Sequence, residues 1–489
     1  MYVGSQKLMQ KYDQCLLETG YSIEELVDKA SDCLMKHMHD YDCFAILCGP
    51  GNNGADGLSL AIKLYKQDKK VHVFIFEDEK ISQANRYYLD QCYDLNIQIT
   101  HIYETNLDEV ASMISTYDTI VDAMFGFGLS SCPRGLYQSV IEEVNCLYDK
   151  EIIAIDIPTG LNYNTGYAYQ SVICATLTIT LSALKNGFLN PDSVSFTGKV
   201  ILEKLETEDM SEKVGLFQLI DSHYTKRLLK DRLFDGHKGH YGRIGMITGC
   251  TQYKGASFLS TKAAVYTGSG VVTTISCQEV IEPLTIYCPE ATVMLRPPIF
   301  QQDDFHMYNA LLLGSGLGLD IEAYRYVEDV LTMSHQPLVI DGDALTILSG
   351  HMDLLRKQNR PIILTPHMGE FHRLCDFNDK DDILYIAKNF AKEHQVTLVL
   401  KGPYTIVTDG EQSYRVLAGN SAMSSGGMGD VLAGIITSLL GQGYSAVNAS
   451  LLGVYIHGHA GDEIAKEAYT VIPSQVIEKI PQVMKELKK

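Results

Sequence analysis

Short apolar runs alternate with helical patterns along most of the chain, and this alternation constrains its fold more than any other feature. Between about residues 43 and 205 the runs are CFAILC, VHVFIF, IQITHIY, DTIVDAMF, EIIAIDIP and TLTITL. A second series begins with RIGMITG, continues through GVVTTIS and QPLVIDGDAL, and ends with VTLVLKG and TIVTDG. Regular alternation of this kind predicts βα units and parallel sheets. The chain is therefore predicted to be α/β throughout, with residues 172–184 as one buried strand.

Two domains are expected from the length of 489 residues, because single hydrophobic cores stop growing at roughly 250 to 300 residues. The polar, acidic segment LETEDMSEKVG separates the two series of apolar runs. We therefore predict a first domain over residues 1–215 and a second over residues 216–489. A helical segment precedes the first strand, whereas a dinucleotide-binding dehydrogenase usually opens directly with its first strand.

Composition excludes several classes of partner. Acidic side chains outnumber basic ones by 60 to 40, and the net charge of -20 repels nucleic acid and anionic lipid. Apolar stretches fall short of the ~18 to 20 residues of a membrane span, and the N-terminus has no signal-peptide pattern. The 12 cysteines form no C-x-x-C pair, which favours a reducing cytoplasm and argues against structural zinc. Small molecules are the expected partners, with neither nucleic acid nor membrane.

The loop CGPGNNGADG, residues 48–57, contains a G-x-G-x-x-G pattern between a predicted strand and a predicted helix. Glu77 follows the next strand at the distance of the acidic residue in a dinucleotide-binding fold. The pattern alone is weak evidence for a phosphate site, because any tight strand-to-helix turn needs glycine. Asn52, Asn53 and Asp56 crowd the loop, and the Asp56 carboxylate would repel a pyrophosphate. Their oxygens instead suit a monovalent cation or the hydroxyls of a ligand.

Two further loops with aspartates follow later strands of the same series. VDAMFGFGLS places Asp122 at a strand end before Gly126 and Gly128, and IDIPTGL contains Asp156 and Thr159. Each aspartate alone would more often be a helix cap or turn former than a ligand contact. Three strand ends with carboxylates at one edge of one sheet together predict a ligand site, since ligands bind there in open α/β sheets.

The segments GPGNNGADG, VDAMFGFGL, IDIPTGL and ATLTITLSALKNG, in this order and spacing, resemble the YjeF N-terminal family, the NAD(P)H-hydrate epimerases. The resemblance covers nearly all of residues 8–205. It implies a Rossmann-like three-layer α/β/α fold and a hydrated nicotinamide dinucleotide, NADHX or NADPHX, as substrate. It also implies a potassium ion (K+) held by Asn53, Asp122 and Thr159, with Asp156 as substrate contact and acid–base catalyst. The other implied substrate contacts are Asn52, Asn53, Gly54, Ala55 and Asp56 of the first loop and Gly126, Phe127, Gly128, Leu129, Ser130, Ser131 and Cys132 of the second.

The sharpest signal in the second series is AGNSAMSSGGMGDVLAGIITSLL, residues 418–440. Gly426, Gly427 and Gly429 lead directly into an amphipathic helix, whose free backbone N–H groups would stabilise an anionic phosphate. Asp430 in the first turn can accept a proton from a hydroxyl that attacks this phosphate. The alternative is that Asp430 only caps its helix.

This element, with VIDGDAL and LKGPYTIV, resembles the ribokinase-like superfamily of small-molecule kinases, which implies a ribokinase-like α/β fold for the second domain. HKGHYGRIGMITG, YKGASFLSTKAAVYTGSGVV, PEATVM, LLGSGLG and LTPHMGEF more specifically resemble NAD(P)H-hydrate dehydratases, across nearly all of residues 225–480. His367 by itself would more often be a structural histidine. The resemblance implies nucleotide contacts at Lys401, Gly402, Pro403, Tyr404, Thr405 and Gly429, and contacts with the hydrated dinucleotide at Ala256, Gly316, His367 and Asp430.

The expected reactions follow from the chemistry of the hydrated ring. Its hydroxyl is a poor leaving group, so Asp430 would deprotonate it, a nucleotide would phosphorylate it, and loss of phosphate would restore NADH or NADPH. The first domain would interconvert the (R) and (S) epimers, of which the second accepts one. Fused bacterial and archaeal relatives commonly use ADP, so the resemblance implies ADP with Mg2+ here, giving AMP, and a homo-oligomer of four or more subunits.

The sequence departs from the family patterns at a few positions. Ala55 replaces glycine, Met428 replaces threonine or serine, and Met368 replaces a proline after His367. The backbone N–H of Met428 remains available to an anion. Two alternatives stay open: a kinase for a vitamin precursor or sugar, which shares the GGMGD element, and a first domain that binds its ligand without turnover.

Overall fold

The computed structural model describes residues 1–76, 80–129, 131–356, 358–378 and 381–488. Two compact units divide the chain, Met1–Leu216 and Phe217–Lys489. Both units are α/β with largely parallel sheets, so the predicted fold class is confirmed. Among the described helices, none is long and apolar enough to cross a membrane.

The first unit alternates strands and helices after two N-terminal helices. Its strands are β1 (Tyr2–Gly4), β2 (Cys43–Cys48), β3 (Lys70–Phe76), β4 (Gln98–Ile102), β5 (Thr119–Ala123), β6 (Glu151–Ile155), β7 (Leu177–Leu181), β8 (Leu184–Lys185) and β9 (Lys199–Glu203). Its helices are α1 (Gln6–Glu18), α2 (Ile23–Met35), α3 (Asn52–Tyr65), α4 (Gln83–Asp94), α5 (Leu107–Ser115), α6 (Leu136–Asn145), α7 (Val194–Thr197) and α8 (Ser211–Val214).

The main sheet of the first unit is parallel, with strand order β4-β3-β2-β5-β6-β7-β9. The chain moves outward from β2 in one direction through β3 and β4, and then returns to continue from β5 in the other. This reversal places a crevice at the carboxyl ends of β2 and β5, where ligands bind in such folds. The strands β1 and β8 pair in parallel with each other and lie outside this main sheet.

Helices cover both faces of this sheet, which gives three layers. Along β2, Phe44 and Ile46 pack into a core with α2, α3 and α4, whereas Ala45 and Leu47 pack into a second core with α5 and α6. Successive side chains of a strand point to opposite faces, so a strand buried on both faces reads as one continuous apolar run. This explains why the run CFAILC contains no polar residue.

The predicted strand over residues 172–184 is wrong in its length. Only Leu177–Leu181 forms a strand of the main sheet. The backbone N–H of Ile173 donates to the carbonyl of Thr159 at 2.8 Å, and that of Ala175 donates to the carbonyl of Phe196 at 2.9 Å. The apolar residues before the strand are therefore buried by loop contacts, which periodicity cannot distinguish from a strand.

The second unit begins with a short strand and helix before its own βα series. Its strands are β10 (Phe217–Ile220), β11 (Arg243–Ile247), β12 (Val271–Ser276), β13 (Thr292–Leu295), β14 (Ala310–Leu313), β15 (Leu338–Ile340), β16 (Ile362–Leu364), β17 (Thr397–Leu400), β18 (Ile406–Thr408) and β19 (Ser413–Val416). Its helices are α9 (Ser222–Leu228), α10 (Lys254–Thr267), α11 (Gln278–Tyr287), α12 (Ile321–Met333), α13 (Asp343–Leu348), α14 (Asp353–Arg356), α15 (Met368–Leu374), α16 (Ile383–His394), α17 (Met428–Gly441), α18 (Ala446–Ala465) and α19 (Pro473–Glu486).

Within the second unit the strand order is β13-β12-β11-β14-β15-β16-β17-β18-β19-β10. The pairs β17–β18 and β18–β19 are antiparallel, and the others are parallel. Helix α17 is buried along nearly its whole length and packs between α10 and α18. The loops after β14, β15, β16 and β17 all leave the sheet at its carboxyl edge, so their side chains can meet at the start of α17.

Candidate functional site

Each unit contains a candidate site, and in the first unit it lies at the carboxyl ends of β2, β5 and β6. The loop after β2 packs directly on the loop after β5. The backbone N–H of Gly49 donates to the carbonyl of Ala123 at 3.1 Å, and a Cβ atom at Gly49 would overlap the carbonyl oxygen of Met124. Asn85 of α4 fixes the same loop by donating from Nδ2 to the Gly49 carbonyl at 2.8 Å. Glycine is thus required at position 49 by the packing of one loop on another.

A cavity of about 550 Å³ opens beside these loops. The predicted substrate contacts that line it are Asn52, Asn53, Asp56, Gly126, Phe127, Gly128 and Asp156. Gly54, Ala55, Leu129, Ser131 and Cys132 are described by the structure but are not part of the cavity wall, and Ser130 and Glu77 lie outside the described residues. Ala55 is buried inside helix α3, where alanine is the best helix former, so its replacement of glycine introduces no backbone strain.

Asp156 and Lys185 form a buried ion pair in the cavity wall. The Lys185 Nζ lies 2.5 Å from the Asp156 Oδ1 and donates to the carbonyl of Leu181 at 3.0 Å. The backbone N–H of Leu181 donates to the same Asp156 oxygen at 3.1 Å. Because Lys185 is only 1% exposed, its ammonium group depends on this carboxylate for charge compensation. The Asp156 carboxylate is therefore held in a fixed position beside the cavity.

Two more carboxyl groups line the same cavity, from Asp13 of α1 and Asp56 of α3. Burial raises the pKa of Asp13 to about 7, while the Lys185 charge opposes this rise and the Asp156 charge adds to it. Burial, together with the charges of Asp156 and Asp13, raises the pKa of Asp56 well above its ordinary value. Asp56 therefore loses its proton less readily than an exposed aspartate, and its repulsion of a pyrophosphate stays a prediction.

Asp122 and Thr159 form a second buried pair at these strand ends. The Thr159 hydroxyl donates to Asp122 Oδ1 at 2.8 Å and its backbone N–H donates to Oδ2 at 2.7 Å. Burial raises the pKa of Asp122 to about 6, against the hydrogen bonds from Thr159 and Met124. The charged form of Asp122 has no basic side chain as partner among the described residues. A buried carboxylate in these surroundings suits a bound cation.

The third residue predicted to hold potassium, Asn53, is linked to this pair through the second loop. The backbone N–H of Phe125 donates to the Thr159 hydroxyl at 3.0 Å. A Cβ atom at the next residue, Gly126, would lie 3.3 Å from Asn53 Oδ1. Asn53 Nδ2 is buried without a hydrogen-bond partner. The available oxygens belong to a carboxylate, a hydroxyl and an amide, a donor set that fits a hard cation such as K+; in the described parts of the chain no three His, Cys, Asp or Glu side chains cluster as metal ligands.

Sequence reasoning missed three side chains of the first cavity: Asp13, Tyr163 and Lys185. Lys185 lies within the family segment ATLTITLSALKNG, so a signal for it was present. Asp13 lies on a helix that carries no motif, and Tyr163 follows the IDIPTGL loop without a recognisable pattern. Only the fold brings these three residues to one cavity.

In the second unit the glycine run leads into α17, as predicted. Gly427 is the N-cap residue and has φ of 96°, in the left-handed region that favours glycine. Asp430 lies in the first turn and is not the capping residue, so the capping alternative is wrong. The Met428 side chain packs into the hydrophobic core, which leaves only its backbone in the loop. First-turn N–H groups at such a helix start favour an anion.

Lys401, after β17, joins the loops after β15 and β16 to the start of α17. Its Nζ lies 3.1 Å from Asp341 Oδ1 and 3.7 Å from Glu370 Oε2. A Cβ atom at Gly429 would lie 3.1 Å from the same Nζ, so the ammonium group lies against the backbone of α17. The carboxylates of Asp341 and Glu370, foremost Asp341, raise the pKa of Lys401 against the effect of burial. Lys401 therefore stays charged beside the helix start.

Asp430 differs from Asp341 in how its charge is compensated. Asp341 is 2% exposed and accepts hydrogen bonds from Ser315 at 3.1 Å and Thr365 at 2.7 Å, in addition to Lys401. Burial raises the pKa of Asp430 to about 7; the Asp341 charge adds to the rise, and a Ser315 hydrogen bond and the Lys401 charge oppose it. Asp341 is thus the fixed counter-ion, and Asp430 can exchange a proton near neutral pH.

His367 has a structural function as well as its predicted one. It is the N-cap of α15 in a capping box with Glu370: His367 Nδ1 accepts from the Glu370 N–H at 3.2 Å, and Glu370 Oε2 accepts from the His367 N–H at 2.7 Å. Its side chain is 56% exposed, and its backbone pairs with Lys401 in an isolated parallel bridge. The ring is therefore held at the edge of the Lys401 cluster.

The remaining predicted contacts fall into two groups. A Cβ atom at Gly316 would lie 2.7 Å from the Cβ of Ala256, so these two residues adjoin at the loop after β14. Gly402, Pro403, Tyr404 and Thr405 form the turn after Lys401, in which the Thr405 hydroxyl donates to the Gly402 carbonyl at 3.3 Å. The segments VIDGDAL and LTPHMGEF also contain Asp341, Asp343 and Glu370, whose roles were not predicted from the sequence.

Comparisons with known proteins match both units of the chain. A family described as "YjeF-related protein N-terminus" matches residues 20–187, and one described as "NAD(P)H-hydrate dehydratase" matches residues 244–482. A bifunctional NAD(P)H-hydrate repair enzyme from Moorella thermoacetica is 33% identical over 475 residues, which cover 90% of this chain and 87% of the relative. The enzyme of the same name from Escherichia coli is 32% identical over 455 residues, which cover 91% and 86%.

Solved structures resemble the second unit. A ribokinase-like superfamily protein from Enterococcus faecalis is 29% identical with a TM-score of 0.52, over 56% of this chain and 97% of that one. An ADP/ATP-dependent NAD(P)H-hydrate dehydratase from Bacillus subtilis, co-crystallised with ATP and Mg2+, is 27% identical with a TM-score of 0.51, over 55% and 99%. The ribokinase-like fold expected for the second half is therefore confirmed.

Proposed function

Because this chain belongs to the family of bifunctional NAD(P)H-hydrate repair enzymes, we propose that its two units carry one repair reaction each. The first unit epimerises (R)- and (S)-NAD(P)HX, and the second dehydrates (S)-NAD(P)HX to NAD(P)H. One observation carries this division of labour: each of the two family matches falls on the unit that contains the corresponding cluster of buried aspartates. The boundary between the activities then lies near residue 215.

In the second unit Asp430 is the proposed general base. A pKa of about 7 is suited to removing the proton of the ring hydroxyl at neutral pH. The oxygen then attacks the terminal phosphoryl group of the nucleotide, while Lys401 and the N–H groups at the start of α17 stabilise the developing negative charge. Phosphate leaves with the electrons of the C–O bond, and loss of a proton from the adjacent ring carbon forms the double bond of NAD(P)H.

The proposed phosphoryl donor is ADP, with AMP and phosphate as products. Lys401, Gly402, Pro403, Tyr404, Thr405 and Gly429 are the proposed nucleotide contacts, and Ala256, Gly316, His367 and Asp430 the proposed contacts with the hydrated dinucleotide. The Asp341 oxygens are already bound by Lys401, Ser315 and Thr365. Mg2+ therefore fits here as an ion carried mainly by the phosphate oxygens, which is how it commonly binds in phosphoryl-transfer sites.

In the first unit Asp156 is the proposed acid–base residue, held in place by Lys185. Asn53, Asp122 and Thr159 are the proposed potassium ligands. A bound K+ would supply the positive charge that the buried Asp122 carboxylate lacks. The hydrogen bonds of Thr159 to Asp122 and of Phe125 to Thr159 align the two loops that frame the cavity.

Both activities can be tested in one assay with a mixture of the two NADHX epimers. Purified protein is incubated with ADP or with ATP in separate tubes, and the recovery of NADH absorbance is followed together with the nucleotide products. Complete recovery with ADP, and AMP formed in step, is the expected result. Faster recovery with ATP would overturn the ADP assignment alone.

Two other outcomes would change the proposal itself. Recovery that stops when one epimer is consumed would make the first unit a binding module. No recovery with either nucleotide would overturn the repair function in favour of a small-molecule kinase. Asp156→Ala separates the units, because it is expected to abolish the conversion of the (R) epimer and to leave dehydration of the (S) epimer unchanged.

A further inference from the structure

Helix α1 places in the cavity of the first unit a carboxyl group, that of Asp13, to which none of the sequence motifs assigns a role. Asp13 lies before the matched segment of residues 20–187. The helix around it is anchored: Ser5 caps its start, and the Tyr12 hydroxyl, on a side chain 4% exposed, accepts a hydrogen bond from the Met210 N–H at 3.4 Å. Asp13 itself has no hydrogen bond to any described residue. Its carboxyl group is therefore positioned by the helix and left free for a ligand.

The charges around Asp13 do not balance. The described residues that line the cavity include three aspartates, Asp13, Asp56 and Asp156, but one basic side chain, Lys185. Lys185 is bound to Asp156 at 2.5 Å, which leaves Asp13 and Asp56 without a cationic partner in that wall. Tyr163, 4% exposed, adds a hydroxyl that is buried without a hydrogen-bond partner. The cavity thus contains one fixed carboxylate and further groups that carry protons.

The proposed reaction requires such a pair. Addition of water to an enamine double bond places the hydroxyl on the carbon bonded to nitrogen, so the inverted centre of NAD(P)HX is a carbinolamine carbon. Inversion needs a proton donor for the departing oxygen and a proton acceptor for the water that arrives on the opposite face. One carboxylate cannot reach both faces of a ring at once. Two carboxyl groups with different protonation, at separate positions of one cavity, meet this requirement.

We propose that Asp13 is a second catalytic acid–base residue of the epimerase, acting with Asp156 on opposite faces of the hydrated ring. The inference rests on the epimerase function proposed for this unit. In one direction Asp13 gives its proton to the ring hydroxyl, which leaves as water while the ring nitrogen supplies the electrons for a C=N double bond. Water then attacks the other face, the electrons return to nitrogen, and Asp156 takes the proton. The reverse direction exchanges the two roles. After one inversion Asp156 holds a proton and Asp13 has lost one, and proton exchange with water restores both groups, so no further reactant is consumed.

The environment of Asp13 fits a group that is partly protonated at neutral pH. The titratable groups that face it are Asp56 of α3, Asp156 after β6, Tyr163, and Lys185 of β8. Burial is the main cause that raises its pKa to about 7. The rate of inversion is therefore expected to depend on pH in the neutral range through Asp13.

The test compares Asp13→Asn and Asp13→Glu with the full-length wild-type chain and with Glu18→Gln, which changes an exposed acid on the same helix. Separated (R)- and (S)-NADHX are the substrates, and interconversion is followed by chromatography across pH 5.5 to 8.5, a range set to roughly one and a half units around neutrality. We expect Asp13→Asn to lower kcat about 100-fold with little change in KM, and to remove the neutral pH dependence. Asp13→Glu should restore part of kcat, and Glu18→Gln should resemble wild type.

The outcomes separate this inference from its premise. An Asp13→Asn enzyme with wild-type kcat would overturn the role of Asp13, whereas a wild-type chain without interconversion would overturn the epimerase function. A fall in kcat with the pH profile unchanged would reduce Asp13 to a structural residue and so also overturn its role. Turnover in ¹⁸O-enriched water shows which bond of the carbinolamine carbon breaks. If the C–O bond breaks, as proposed, each inversion should introduce one labelled hydroxyl. Unlabelled product would mean that the C–N bond opens instead, and would overturn the proposed step.

Discussion

The glycine-rich loops of the two units look alike in sequence, yet the steric reason for glycine differs between them. In the first unit a Cβ atom at Gly49 would overlap the backbone of the neighbouring loop. In the second unit a Cβ atom at Gly426 would meet nothing within 4 Å, and one at Gly429 would meet only the Lys401 ammonium group at 3.1 Å. Glycine therefore lets two loops pack together in one unit and keeps space open before a helix start in the other. A glycine pattern alone therefore predicts a tight turn. A phosphate site is indicated only where the structure also shows open space at a helix start.

The two sites agree, however, in how they set their acid–base groups. Each contains one lysine bound to one aspartate: the buried Lys185 to Asp156, and the half-buried Lys401 to Asp341. In each, a second carboxyl group lacks that compensation, and burial raises the pKa of Asp13 and of Asp430 to about 7. The surroundings of these groups differ. In the second unit the lysine lies against the start of α17, whereas in the first unit two more carboxyl groups, those of Asp13 and Asp56, line the cavity.

The largest effect is expected from Asp430→Asn, which tests whether the uncompensated carboxyl group of the second unit is the base. The rate of (S)-NADHX dehydration should fall about 10³-fold, within the range that general-base catalysis supplies. Epimerisation should be unchanged, because the residues proposed for it lie in the first unit and Asp430 lies in the second. NADH absorbance measures the first rate and chromatography of the epimers the second. Glu467→Gln, an exposed acid of the same unit, is the control, and a mutant with wild-type dehydration would remove Asp430 from the mechanism.

Gly49→Ala should lower the stability of the first unit, whereas Gly51→Ala in the same loop should not. The new methyl group has no room against the Met124 carbonyl, so the loops must separate, and overpacking of this kind costs about 1 to 3 kcal/mol of unfolding free energy. Gly51→Ala in the same loop meets nothing within 4 Å and should lie within about 0.5 kcal/mol of wild type. Thermal and urea unfolding of the two variants measure the difference. Equal stability of both would contradict the steric role of Gly49.

Sequence reasoning reached the α/β class, the strand-end loops and the glycine-rich helix start, because each has a local pattern. It could not predict Asp13 or Tyr163 as site residues. They lie far apart in the sequence, and only the folding of α1 and the loop after β6 brings them to the same cavity. It also treated Asp56 as an ordinary aspartate, since the identity of a residue does not reveal the burial that raises the pKa of this carboxyl group. The pKa of a carboxyl group depends on its tertiary environment, so a sequence motif does not predict it.

Gly429→Ala tests the glycine-rich loop of the second unit, where the open space is expected to hold a phosphate. Its methyl group would lie 3.1 Å from Lys401 Nζ, closer than the lysine tolerates without moving, whereas Gly426→Ala meets no atom of the protein. We expect Gly429→Ala to lower kcat/KM for the nucleotide about tenfold, equivalent to ~1.4 kcal/mol, with stability nearly unchanged. Gly426→Ala should match wild type in stability, and a loss of nucleotide affinity in that variant alone would show that the phosphate lies over Gly426 instead of Gly429.

The smallest effect concerns the pH dependence of dehydration. Asp430 acts as a base only when ionised, and its pKa is about 7, so kcat should fall as the pH drops below that value. Burial is the main cause of the raised pKa, and the Asp343 charge contributes in the same direction. The Gly318 N–H donates to the Asp343 carboxylate at 2.8 Å. Asp343→Asn removes the charge but keeps an oxygen that can accept this hydrogen bond. The midpoint of the pH dependence should therefore move slightly to lower pH. Because Asp343 belongs to the second unit, the epimerase profile should not move, and an upward shift of the dehydratase midpoint would mean that another group titrates in place of Asp430.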